Sequence, residues 1–203
     1  MDGSVLPTAS VRIEGVSKLL MSNVQGADPA NRYAKLLAPL TSKRKKTDED
    51  RAEIDWLGWR SRLYLDGSGA VSVPMSNVVK TLIEGARLTR QGKAVERGVV
   101  ALSEHVDVFE FPDFGTGPEA LFGDGESAYV DRRMVAVQRQ RVPRVRPGFL
   151  TWAAEFRLGL ILKAIDPDDV NEFLRVAGPA IGLCDGRTIG MGRFAVTRFA
   201  MNA

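Results

Sequence analysis

The order of strand-like and helix-like segments predicts an α+β fold, a ferredoxin-like (RRM-like) sheet backed by two helices and elaborated by inserted loops and a hairpin. Three observations carry this expectation. The chain contains two strand–helix–strand passages with further strand-like runs between them. The segment Thr151 to Ala164 alternates Trp152, Ala154, Phe156, Leu158, Leu160 and Leu162 on one parity, the pattern of a central strand with one face in a core. Asp166-Pro167-Asp168-Asp169 then supplies a capping Asp, Pro at the first helical position and acids in the first turn. A length of 203 residues suits one domain spanning 1–203.

From the N-terminus, Ser10 to Leu20 places Val11 and Ile13 in alternation and predicts an opening strand. The pattern then degrades from Gln25 to Asp55, where Lys43, Arg44, Lys45 and Lys46 are followed by Asp48, Glu49 and Asp50. Such a run marks a solvated loop or a helix start, and the adjacent acids nearly cancel its field. Residues 25–55 are therefore expected to be an exposed insertion. Arg60 to Leu65 and Ala70 to Val73 flank the turn signal Asp66-Gly67-Ser68-Gly69 and predict a hairpin. A helix is expected next, after Pro74, with Ser76 as its cap, Val78, Val79, Leu82, Ile83 and Ala86 on one face, and Gly92 at its end. Gly98 to Phe111 predicts one or two strands, Pro112 to Gly125 a loop, and Met134 to Val145 an arginine-rich strand. The second helix carries Val170, Phe173, Leu174 and Ala177 as its apolar stripe and is expected to stop at Gly178-Pro179. A glycine-rich loop and a last strand, Arg193 to Met201, complete the chain.

Composition narrows the function. The 44% hydrophobic and 26% charged fractions are those of a globular protein. The single Cys184 excludes an internal disulfide framework and a thiolate zinc site, and the single His105 makes a His-based metal centre or catalytic triad hard to assemble. No signal sequence or membrane-length apolar run is evident, so a cytoplasmic protein that does not engage a membrane is expected. The acids Asp166, Asp168 and Asp169 are explained by capping, and no metal or other cofactor is expected. Trp59 beside Arg60 fits core packing, with stacking on a base as the alternative.

Two features carry candidate chemistry. Arg132, Arg133, Arg139, Arg141, Arg144 and Arg146 place six cations in fifteen positions, with no acid between Asp131 and Glu155. Arg139 and Arg141 share a strand face about 7 Å apart in extended geometry, a spacing that can track the phosphates of a nucleic-acid backbone. Protection of a sheet edge or contact with a protein partner would use the same residues. The second feature is the loop from Gly182 to Phe194, with four Gly in the eleven residues to Gly192 and with Arg187 and Arg193. Such a loop either brings backbone N–H groups up to an anion or simply connects helix to strand. It precedes a strand, so it is neither a P-loop nor a dinucleotide fingerprint.

A loop of Gly, Arg and an aromatic between a helix and the last strand resembles the glycine-rich loop of the RAMP superfamily, the RNA-binding proteins of CRISPR effector complexes. The early RIEG segment and VSVPMSNVVKTLIEGAR fit the same element order. The resemblance implies that Gly186, Arg187, Gly190, Gly192 and Arg193 approach an RNA backbone. It also implies that the segment with Lys43 to Lys46 matches that family's variable excursions. The chain lacks a His placed as the RNA-cleaving members require. The expectation is a non-catalytic nucleic-acid-binding protein, RNA in preference to DNA, acting in antiviral defence as a homo-oligomer or as a subunit of a larger complex. The alternative is a structural assembly protein, such as a virion or complex subunit, using the arginine strand for protein contacts.

Overall fold

The computed structural model describes residues 6–109, 117–137 and 140–202. In chain order the elements are β1 (Thr8–Gly15), β2 (Leu19–Leu20), α1 (Arg32–Ser42), α2 (Asp48–Arg60), β3 (Ser72–Pro74), α3 (Met75–Arg87), α4 (Gly92–Gly98), β4 (Val99–Ala101), β5 (His105–Phe109), α5 (Pro118–Phe122), β6 (Val130–Val137), β7 (Gln140–Phe149), β8 (Ala153–Leu160), α6 (Pro167–Ala180), a 3-10 turn (Arg187–Ile189) and β9 (Phe194–Asn202). They form two compact units. One comprises Met1–Leu19, Leu65–Phe111 and Thr151–Ala203, the other Leu20–Tyr64 and Pro112–Leu150.

The first unit is the ferredoxin-like sheet. Its strand order is β3-β5-β8-β1-β9, with β4 also on β8, and the pairs β1–β8, β1–β9, β5–β8, β4–β8 and β3–β5 are all antiparallel. Ala9, Val11 and Ile13 of β1, and Ala154, Phe156 and Leu158 of β8, are buried on one face of that sheet. Each large apolar side chain so buried contributes about 1.5–3 kcal/mol. Helices α3 and α6 cross closely because Gly85 has no side chain: a Cβ there would lie 2.7 Å from both Ala177 Cβ and the Phe173 carbonyl. The predicted start of α6 is as expected, with Asp166 Oδ1 accepting the Asp168 amide at 2.8 Å and Pro167 following it.

The second unit holds a three-stranded sheet, β2-β7-β6, and helices α1, α2 and α5. Its aromatic core is Trp56, Trp59 and Phe122. The Trp rings stack at 5.9 Å and Phe122 meets Trp59 edge-on at 5.5 Å. Trp59 is fully buried and its Nε1–H donates to the Tyr129 carbonyl at 3.0 Å. That assigns it to packing rather than to stacking on a base.

Several sequence expectations are corrected. The segment expected as an exposed insertion, 25–55, is mostly exposed and belongs to the second unit, but it is not loop: it holds α1 and most of α2. Its acids are the first turn of α2, where Thr47 and Asp50 form a reciprocal capping box. Because α2 runs to Arg60, the hairpin expected around residues 66–69 shrinks to a single bridge, Leu65 to Val71, across a turn in which Asp66 Oδ1 accepts from the Ser68 and Ala70 amides. Met134 to Val145 is not one strand but parts of both strands of the β6–β7 hairpin. Ser76 does not cap α3, which begins at Met75 with no side-chain cap. Gly92 does not end α3 but opens α4. Arg90, at a φ of 65°, makes the left-handed step between them. Helix α6 continues through Pro179 to Ala180. The expected loop 112–125 contains α5 in its described part.

Candidate nucleic-acid interface

The arginine segment forms a two-stranded ribbon. Cross-strand register pairs Asp131 with Arg146, Arg133 with Arg144, Arg132 with Val145 and Ala136 with Arg141. Because side chains alternate along a strand, Arg133, Arg144 and Arg146 share one face with Asp131, and Arg132 and Arg141 share the other. At the base of the ribbon one carboxylate, Asp131, serves two arginines. Arg133 Nε donates to both Asp131 oxygens at 2.9 and 3.0 Å, and Arg146, only 5% exposed, lies 3.6 Å from Asp131, also 5% exposed. Arg132 pairs with Asp55 at 2.5 Å. Farther along the ribbon, Arg141 is exposed and Arg144 half-buried, and neither has an acidic partner among the described residues. Arg139 lies outside the described residues.

The glycine loop belongs to the first unit. Gly182, Gly186, Gly190 and Gly192 all take left-handed φ values, as does Cys184. The Leu183 amide donates to the Gly192 carbonyl at 2.8 Å, and the Gly192 amide donates to Lys18 at 2.9 Å. Its arginines brace it. Arg187 donates to Glu84 of α3 at 2.5 Å, and Arg193 Nη2 donates to the Arg187 carbonyl at 3.1 Å. An anion recruited by Arg187 would have to compete with Glu84. The more accessible part of the loop is its 186–190 apex, where Gly190 has no heavy atom within 4 Å of the place a Cβ would occupy.

The remaining candidates are engaged locally. His105 Nδ1 lies 3.0 Å from Oγ of Ser72, a fully buried residue. Burial pushes the Cys184 thiol up to about 12, so it is protonated at neutral pH, with the Asn77 amide 3.7 Å from its sulfur. Lys43 pairs with Asp50 at 2.5 Å and, with the Thr47 amide, holds that carboxyl below its ordinary range. Among the described residues, no three His, Cys, Asp or Glu side chains come together as a metal site, and no helix is long and apolar enough to cross a membrane.

Charge separates between the units. The second carries 15 of the 28 Lys and Arg and 11 of the 25 Asp and Glu, a formal +4, and the first is therefore −1. Sequence reasoning missed two members of that excess, Arg32 at the start of α1 and Arg60 at the end of α2. Both guanidinium groups lie over the Tyr33 ring. No helix was expected there, so nothing in the spacing brings them together.

No family model matches the chain, and no curated protein is similar to it in sequence. Among solved structures, the fold is similar to that of a chain in the cryo-EM structure of the Type III-B Cmr-beta bound to cognate target RNA. The TM-score is 0.54 and the identity 11% over 96% of this chain. This chain spans 60% of the length of that one.

Proposed function

We propose that this chain is a non-catalytic nucleic-acid-binding protein that holds single-stranded RNA by its backbone, within a multi-subunit or self-assembled ribonucleoprotein of the CRISPR type in the cytoplasm. The observation that carries the reading is the ribbon. It presents Arg141 and Arg144 without acidic partners, in the unit that holds the chain's positive excess. Arg141 on one face of the ribbon and Arg144 on the other can each meet a phosphate, and such contacts give affinity with little sequence readout. The fold shared with a chain of an RNA-bound Cmr-beta complex supports RNA as the ligand and a complex as the setting. The apex of the glycine loop, with Gly186 and Gly190, is a second contact, through backbone amides more than through Arg187. His105 and Cys184, which acid–base or nucleophilic chemistry would recruit first, are held by Ser72 and Asn77.

The test is the nucleic-acid content of the protein purified at low salt, before and after a high-salt wash, followed by titration of a labelled single-stranded RNA. Co-purifying RNA that salt releases is the expected result. A clean protein that is already oligomeric and shifts no labelled oligonucleotide would replace this reading with that of an assembly protein.

A further inference from the structure

The structure assigns a phosphate-binding clamp to Arg32 and Arg60, on the α1–α2 side of the second unit. The inference rests on the proposed function and extends it to residues outside the ribbon and the loop. Tyr33 is buried, and its ring is the platform: the Arg32 guanidinium carbon lies 4.7 Å from the ring centroid and that of Arg60 lies 5.6 Å from it. Two cations are therefore held within about 10 Å of each other by cation–π contact, with their rotamers already restricted. Arg32 Nη2 also donates to the Tyr33 hydroxyl at 2.7 Å. Neither arginine has an ion-pair partner among the described residues. Of the acids on the flanking segments, Asp28 accepts the Ala30 amide at 2.9 Å and Asp55 pairs with Arg132. Two like charges about one ring repel in the free protein, and a bound anion in reach of them offsets that repulsion. A planar guanidinium pair suits the oxygens of a phosphodiester, and we commit to the backbone of a polynucleotide as its source.

The test compares wild type, Arg32→Ala with Arg60→Ala, and Tyr33→Leu for binding of a labelled single-stranded 20-mer RNA across salt concentrations, with circular dichroism melting as the check on folding. Loss of two phosphate contacts should lower the slope of log affinity against log salt by about 1.4, at roughly 0.7 per contact for a single strand. Tyr33→Leu, which keeps both charges but removes their platform, should weaken binding by less. Wild type that binds while the folded double variant binds equally, with the same slope, overturns this inference and leaves the function standing. Wild type that binds no RNA overturns both. Millimolar inorganic phosphate should compete no better than chloride of equal ionic strength. If phosphate alone saturates the wild type and not the double variant, the site is one for free phosphate, and the polynucleotide assignment is overturned.

Discussion

Replacing Gly192 with Ala tests whether the glycine loop is as rigid as its hydrogen bonds imply. Gly192 has a φ of 70°, and a Cβ built on it would sit 1.9 Å from the Leu183 carbonyl oxygen and 2.9 Å from that residue's amide nitrogen. The neighbour is backbone, fixed by its own bond to Gly192, so no flexible side chain can yield. The left-handed conformation costs Ala about 1–2 kcal/mol, and forcing the carbonyl aside adds roughly 1–3 kcal/mol. The expected loss is on the order of 3 kcal/mol. Gly190 is the internal control, because at a φ of 81° a Cβ there would meet nothing within 4 Å. Gly190→Ala should cost only the conformational part, about 1–2 kcal/mol. At about 2–4 °C per kcal/mol for a chain of this size, thermal melts should separate the two variants by several degrees. Equal shifts would refute the argument that the loop neck is closed by rigid backbone. The stable variant then has a second use: if the apex approaches the RNA backbone, Gly190→Ala should weaken binding while the fold survives.

The other expectations follow from the ribbon and the capping box. Arg141→Ala with Arg144→Ala should flatten the salt dependence of RNA binding by about 1.4 in slope, so that a fourfold rise in salt costs the variant about sevenfold less affinity than wild type. Arg133→Ala, which removes a guanidinium already engaged by Asp131, should change the slope less, and fluorescence anisotropy decides between them. Asp131→Asn leaves Arg146, 5% exposed, with a weakened counter-charge, and should destabilise the protein by on the order of 3 kcal/mol in urea unfolding. The Asp50 carboxyl is held below its ordinary value by Lys43 and the Thr47 amide. Its contribution is present above the ordinary Asp range, near pH 4, and is lost as pH falls through and below it. The stability gap between wild type and Asp50→Asn should therefore narrow from pH 7 to pH 3, and a constant gap would show that the pair contributes nothing.

What could be foreseen from sequence divides along a physical line. Strand β8 and helix α6 were legible because each carries its own signal over ten or more residues: strict alternation through Leu158 and Leu160, and a capping Asp followed by Pro. The fold class followed from the succession of strands and helices, whereas the spatial order of β9, β1, β8 and β5 rests on pairings between distant segments that no local pattern encodes. The second unit was opaque because its segments lie about fifty residues apart in the chain, and its cohesion comes from long-range contacts such as Trp59 with Phe122 and with the Tyr129 carbonyl. The run Lys43 to Lys46 drew attention as a charge cluster, yet the informative residue there is Thr47, whose capping box turns the following acids into a helix start. The arginine ribbon was visible as composition. Which of its members keep an uncompensated charge was not, since that depends on Asp131 across the strand pair and on Asp55 from α2.

The sheet of an RRM-like fold does not oblige a protein to read nucleic acid on it. Stacking of bases on such a sheet needs exposed aromatics on its open face. Here the described side chains facing away from the buried layer of β1, β8 and β9 include Ser10, Arg12, Glu14, Glu155 and Arg198, joined by Arg12–Glu14 at 3.0 Å, Arg12–Glu155 at 3.4 Å and Arg198–Glu155 at 3.0 Å. Arg12 and Arg198 are matched by acids on the same face, and the unit as a whole is formally −1. Before Arg12 or Arg198 can meet a phosphate it must leave a carboxylate, whereas Arg157, opposite Ser10 on the same face, donates only to Thr8 Oγ1 at 3.1 Å among the described residues. Arg141 and Arg144 on the ribbon, and Arg32 and Arg60 on Tyr33, face no such competition. On this argument the proposed RNA binding draws its uncompensated charge chiefly from the unit inserted into the ferredoxin-like core, with the glycine-loop apex adding backbone amides, and charge substitutions at Arg12 or Arg198 should leave RNA affinity and its salt slope nearly unchanged.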